Sequence, residues 1–203
     1  MSSAILGDQV AALMHSLGIE QATYYGSSSG GTTVLSLMAD HPELVHHAIV
    51  HEPAVMADTA LFSFIFPKLI AIRAWFAGGC AEEEREALYG EGESMMISDQ
   101  ALYRTLGEDH LERRVNNKQI WFERYADPDI PCCNRKYTAE ELRRAPLTIT
   151  LGETTQDLFA SGVKALAERA GVEVVLVPAK HFAYVTIPEH IAQIVYEADA
   201  ASQ

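Results

Sequence analysis

The run Gly26-Ser27-Ser28-Ser29-Gly30-Gly31 constrains this chain more than any other stretch. Residues 21–25 before it are β-prone, and residues 32–39 after it read as a helix that His41-Pro42 ends. A glycine–x–serine–x–glycine spacing between a strand and a helix requires a turn so tight that its central residue is strained. Gly26 and Gly30 are expected to supply the room. The Ser28 hydroxyl then projects beyond the sheet edge. The amides that open the helix, that of Ser29 first, point at the same spot and can receive developing negative charge. Ser27 and Ser29 therefore join Ser28 as candidate oxyanion or substrate contacts. A phosphate-cradling loop fits less well, because there is no lysine in the P-loop position and no G-x-G-x-x-G spacing.

Around this turn, helices and strands alternate. Residues 5–17 carry Ile5, Val10, Leu13, Met14 and Leu17 at helical spacing, and Gly18 stops them. Residues 45–51 form a Val/Ile-rich strand closed by Pro53. Later, residues 146–151 and 172–177 read as strands, and 160–170 and 188–198 as helices. This order predicts an α/β fold: a parallel sheet flanked by helices, with its site at the C-terminal ends of the strands. Between residues 55 and 142 apolar and acidic helix formers dominate, which predicts a helical cap inserted into a core made of 1–54 and 143–203.

A serine nucleophile needs a base. His181 lies just after the last strand, at the edge where Ser28 is expected. His41, His46, His47 and His51 cluster in sequence only. His47 and His51 are four strand residues apart, about 13 Å at about 3.3 Å each, and do not share a metal. They read as structural, with His51 bordering the site; no metal or organic cofactor is expected.

Composition bounds the partners. With 15 Lys plus Arg against 28 Asp plus Glu, the net charge is −13, which disfavours nucleic acid and anionic membrane. The apolar stretch 60–79 is broken by Pro67, Lys68 and Arg73, so no membrane span is expected. Cys80, Cys132 and Cys133 make neither a disulfide framework nor a CxxC pair, and residues 1–7 lack a signal-peptide pattern. A cytoplasmic protein fits best. Phe62, Phe64, Phe66, Trp75, Phe76, Trp121, Phe122 and Tyr125 suggest either core or a pocket for a small apolar or acyl-bearing substrate.

The turn at 26–31, the linker His41-Pro-Glu-Leu-Val45, the strand end His51-Glu-Pro53, residues 146–153, His181-Phe182 and Pro188-Glu189 together resemble the α/β-hydrolase superfamily. The resemblance implies Ser28 as nucleophile, His181 as base and the Ser29 amide as one oxyanion donor, in the order Ser, acid, His. It also exposes two departures. The family's usual acid follows the penultimate strand in a Gly-Glu-x-Asp pattern, but here Gly152-Glu153 is followed by two threonines. Asp157 can serve if the loop bends. Glu52, at the end of the strand after the nucleophile strand, is the preferred alternative, as in a minority of the superfamily. The second departure is that the chain starts with the helix leading into the nucleophile strand. The strands that normally precede it, and the second oxyanion donor, have no source here. The nucleophile strand is then a sheet edge, which predicts either a truncated fold or a homodimer through that edge.

Two functions remain in view. One is a serine hydrolase cleaving an ester or related acyl bond with a Ser-His-acid triad. The other is a non-catalytic or weakly active remnant that binds or oligomerises. Trapping Ser28 with a serine-directed probe separates them.

Overall fold

The computed structural model describes residues 2–55 and 135–201, together with isolated positions between 79 and 117. Most of the anticipated cap, the aromatic set from Phe62 to Tyr125 and all three cysteines lie outside the described residues.

The order is α1 (Ser3–Leu17), β1 (Ala22–Ser27), α2 (Ser29–Asp40), a 3₁₀ turn (Pro42–Leu44) and β2 (Val45–His51). After the intervening segment come a second 3₁₀ turn (Glu141–Arg143), β3 (Leu147–Gly152), α3 (Asp157–Ala170), β4 (Val174–Val177), α4 (Ala183–Thr186) and α5 (Pro188–Ala201). The four strands pair in parallel in the order β1-β2-β3-β4. β1, the strand that leads into Ser28, is therefore an edge strand among the described residues.

Each strand sends alternate side chains to opposite faces. On one face, α1, α2 and α3 bury Met14, Leu35, Met38, Val50, Ile149 and Leu166 in one cluster, against which Tyr24 packs. On the other, Val177, Ala179, Ala183 and Ile191 form a smaller cluster, against which Tyr25 packs. β2 and β3 are buried on both faces at their C-terminal ends, so the polar side chains they carry there, His51 and Thr150, are buried along with the apolar ones.

Helix α1 faces inward differently from its apolar spacing. Its buried residues are Ser3, Gly7, Ala11 and Met14, and α1 packs chiefly on α2. Small side chains let the two backbones approach closely. The larger Ile5, Leu13 and Leu17 are left 50%, 56% and 62% exposed. Periodicity identified the helix and missed the buried face, because the contact selects for size as well as polarity.

Residues 135–142, read from sequence as part of the insertion, pack with the core instead. The Tyr137 hydroxyl lies 2.8 Å from Ser36 Oγ and donates to the Thr32 carbonyl at 2.9 Å. Arg135 bridges Asp40 and Glu141. Thr32, Ser36 and Asp40 come from α2, which no local pattern around residue 137 reveals. Among the described residues no helix is long and apolar enough to cross a membrane.

Candidate active site

The turn between β1 and α2 places Ser28 at φ 54°, ψ −121°. Its N–H continues the sheet by donating to the His51 carbonyl at 3.0 Å. Its own carbonyl accepts the Thr32 and Ala54 amides at 3.2 and 3.1 Å. The turn is thus held from both ends. A Cβ on Gly26 would sit 2.5 Å from the Gly30 carbonyl oxygen, so only glycine fits there. The second position needed for space is Gly31, whose Cβ would fall 2.9 Å from that of Pro53, rather than the expected Gly30, around which a Cβ meets nothing. The reason is tertiary: the 51–54 strap crosses the turn over Gly31.

Ser29 is the first residue of α2, and the amide of a first helical residue has no partner within its helix. It remains the donor available to an oxyanion beside Ser28. Ser27 ends β1, and its hydroxyl is buried beside the Tyr25 phenol. Burial pushes that phenol's pKa far up. Ser27 therefore lines the turn from beneath, its hydroxyl buried against the Tyr25 phenol.

Glu52 follows β2 at φ 43°. It and Ser28 are the non-glycine residues with positive φ among those described. Strain of this kind, of order 1–3 kcal/mol per residue, persists where surrounding structure over-determines it. The Glu52 side chain, 5% exposed, turns inward. One oxygen, Oε2, accepts from His181 Nδ1 at 2.8 Å. The other, Oε1, accepts from the Gly152 amide at 2.9 Å and from the Thr155 hydroxyl at 2.5 Å. Burial alone raises this carboxyl's pKa. The three hydrogen bonds outweigh it and hold the group below the ordinary carboxylate value.

His181 sits in the loop between β4 and α4 with a side chain 20% exposed. Because its partner is an ionised carboxylate, Nδ1 carries the proton, and in the neutral imidazole Nε2 then holds the lone pair. That is the arrangement a proton acceptor requires. The loop itself is tied to the end of β3. Glu153 N–H donates to the Val177 carbonyl at 2.9 Å, and Thr154 Oγ1 to the Ala179 carbonyl at 3.2 Å. Gly152 permits the approach, since a Cβ there would lie 2.4 Å from the Ala179 carbonyl oxygen.

Of the two candidate acids, Glu52 is the one joined to His181. Asp157 is exposed and stands in the first turn of α3, where the helix dipole favours a negative charge. Thr155 occupies the side of the loop that faces Glu52, so the bend that would have presented Asp157 does not form. Thr150 and Thr155 complete the network, and sequence reading passed over both. A short hydroxyl residue carries no spacing signal of its own.

His51, expected to border the site, lies beside the Glu52–His181 pair, with Nε2 4.0 Å from Glu52 Oε1. Its ring is fully buried, with Nδ1 2.9 Å from Thr150 Oγ1 and Nε2 donating to the Lys180 carbonyl at 3.1 Å. Its ring centroid lies 6.4 Å from that of His181. It braces the His181 loop from below. His41, His46 and His47 are engaged separately, with Asp8, the Asp199 carbonyl and Thr148. Among the described residues no group of three or more His, Cys, Asp or Glu side chains is arranged to hold a metal.

Burial holds the His51 pKa below its ordinary 6.5. As pH falls through that value the unfolded chain takes up a proton that the folded chain refuses, so stability is lost on acidification. His51→Gln, which can still donate to Lys180, is expected to be less stable at neutral pH by about 1–3 kcal/mol. It should also lose less stability than wild type between about pH 7 and pH 5. His47 is lowered by burial as well, and the comparison cancels its contribution. Urea unfolding at several pH values checks this, and parallel pH curves for the two proteins would refute it.

The architecture matches known proteins. Residues 2–128 match the family model described as the alpha/beta hydrolase fold, and the chain belongs to that family. Its sequence is 28% identical to a zearalenone hydrolase of Bionectria ochroleuca, over 95% of this chain and 68% of that protein. It is 28% identical to a zearalenone hydrolase of Cladophialophora bantiana, over 95% of this chain and 67% of that one. Among solved structures, an N-acyl homoserine lactone degrading enzyme superposes with a TM-score of 0.69 at 20% identity, covering 97% of this chain and 74% of its own. That likeness is one of fold.

Proposed function

We propose that this protein hydrolyses an ester, with a lactone as the substrate class, by a Ser28–His181–Glu52 triad. The observation that carries the reading is the 2.8 Å hydrogen bond from His181 Nδ1 to the buried Glu52 carboxylate, at the sheet edge where Ser28 is held strained. The lactone class is suggested by the two zearalenone hydrolases that the chain is similar to over nearly its whole length.

In this mechanism Ser28 Oγ attacks the carbonyl carbon while His181 Nε2 takes its proton. Glu52 keeps the imidazole in one tautomer and stabilises the imidazolium that forms. The Ser29 amide receives the oxyanion. Collapse of the tetrahedral intermediate breaks the acyl–oxygen bond, and His181 returns the proton to the alkoxide. In a lactone that alcohol stays tethered to the acyl group. Water, deprotonated by His181, then frees the acid. The segment between residues 55 and 135, as a cap, would set the substrate range.

The test is to incubate the folded chain with a fluorophosphonate and with a panel of aryl esters and macrocyclic lactones, zearalenone included. Covalent capture on Ser28 and release of a hydroxy acid are expected. Folded protein that neither labels nor hydrolyses would sink the reading. A second reading, a protein that binds or oligomerises without turnover, is favoured by the edge position of β1 among the described residues. An open parallel edge pairs readily with another strand, and a homodimer through β1 follows from it. Light scattering is expected to give the mass of two chains, and a monodisperse monomer would rule that dimer out.

A further inference from the structure

We propose that Thr155 is a positioning residue for the Glu52–His181 pair, fixing the carboxylate through a hydroxyl in the loop where the superfamily's usual acid would stand. The inference rests on the hydrolase reading of the same site. Glu52 reaches from the end of β2 across to the loops after β3 and β4, and the geometry divides the labour of its two oxygens. Oε2 meets His181 at 2.8 Å, whereas Oε1 is pinned by the Gly152 amide at 2.9 Å and the Thr155 hydroxyl at 2.5 Å. The terminal torsion of a glutamate is soft. A carboxylate held only through Oε2 would rotate and take the His181 ring with it. Two donors on the opposite oxygen remove that freedom, and hydrogen bonds to an ionised acceptor are about twice as strong as neutral ones.

The Thr155 hydroxyl is itself held in place. The Thr155 amide donates to the Gly152 carbonyl at 3.1 Å, closing a turn. A Cβ on Gly152 would lie 2.8 Å from Thr155 Oγ1, so the glycine leaves the space that the hydroxyl uses. The adjacent Thr154 ties the turn to the Ala179 carbonyl, two residues before His181. One short loop thereby sets both the carboxylate and the backbone that carries the imidazole. The carboxylates nearest this turn, Glu153 within it and Asp157 just after it, both face solvent, and the residue the turn presents to Glu52 is a hydroxyl donor.

The experiment compares the wild-type chain with Thr155→Val, Thr155→Ala and Thr155→Ser by histidine ¹⁵N NMR across pH, and by the rate of fluorophosphonate capture at Ser28. In wild type and Thr155→Ser, His181 is expected to hold the single Nδ1–H tautomer, with capture rates within about threefold of each other. In the two variants without a hydroxyl the tautomers should mix, and capture should slow by about tenfold. Thr155→Ala serves if Thr155→Val does not fold. Hydroxyl-free variants that fold and keep the wild-type tautomer and capture rate would overturn the role of Thr155, as would a serine variant as impaired as alanine. Failure of the wild type to label Ser28 would instead overturn the hydrolase reading. The NMR comparison alone then decides whether Thr155 orients the pair.

Discussion

Ser28→Ala is expected to abolish fluorophosphonate capture and to reduce ester or lactone hydrolysis by about 10⁴–10⁶-fold, leaving the fold intact. The size follows from the chemistry. Without Oγ there is no acyl intermediate, and what remains is an oriented water facing one helix amide. Stability is expected to move little. The Ser28 backbone already makes its bonds to His51, Thr32 and Ala54 through main-chain atoms, which alanine keeps, and removing a hydroxyl from a strained position deletes no packing. The positive φ of Ser28 is unfavourable for alanine as for serine, so the strain stays the same. Intact-mass measurement after probe treatment, with circular dichroism on the same sample, reads both halves. A Ser28→Ala protein that still takes up one probe on a different serine would place the nucleophile elsewhere.

Glu52→Gln should be nearly as severe, with hydrolysis falling by about 10⁴-fold, because an amide in place of the carboxylate no longer enforces the Nδ1–H tautomer of His181. Asp157→Asn, by contrast, should stay within about twofold of wild type, since Asp157 caps the dipole of α3 at an exposed position. The pair of variants separates two carboxylates that the sequence offered as rivals. A pH signature accompanies the rate. The hydrogen bonds on Glu52 lower its folded pKa, so they contribute stability that is present above the unfolded value, about 4.3. That stability is lost as pH falls through the depressed folded value. Glu52→Gln should show none of that acid-range loss. Equal hydrolysis by the glutamine and wild-type proteins would remove Glu52 from the mechanism.

Some of this site is readable in the sequence and some is not, and the difference is physical. The turn around Ser28 announces itself because tight backbone geometry demands glycine locally, and local demands leave local marks. Even there the second close approach falls on Gly31 rather than Gly30, because the neighbour it accommodates is Pro53. The strands were visible as runs of β-branched and aromatic residues, and His181 through its place after the last of them. Between Glu52 and Asp157 the sequence preferred Glu52 without excluding Asp157. Both lie at strand ends or loop ends on the correct edge, and which carboxylate meets the imidazole depends on how three loops from β2, β3 and β4 fold over one another. The same holds for His51. Its residue type suggested a place near the site, while its role as a buried brace depends on the Lys180 carbonyl, 129 positions away.

The sequence by itself determined the alternation of helices and strands, the parallel sheet and the strained serine turn. Each rests on residue patterns within a few positions, where backbone sterics and side-chain periodicity act directly. Only the tertiary structure decided which acid holds His181, which hydroxyl pins that acid, which face of α1 is buried and that residues 135–142 belong to the core. Those outcomes turn on contacts between segments far apart in the chain. There, small residues and hydroxyls such as Gly7, Gly31 and Thr155 matter for what they let approach or what they donate, and neither property leaves a pattern along the sequence.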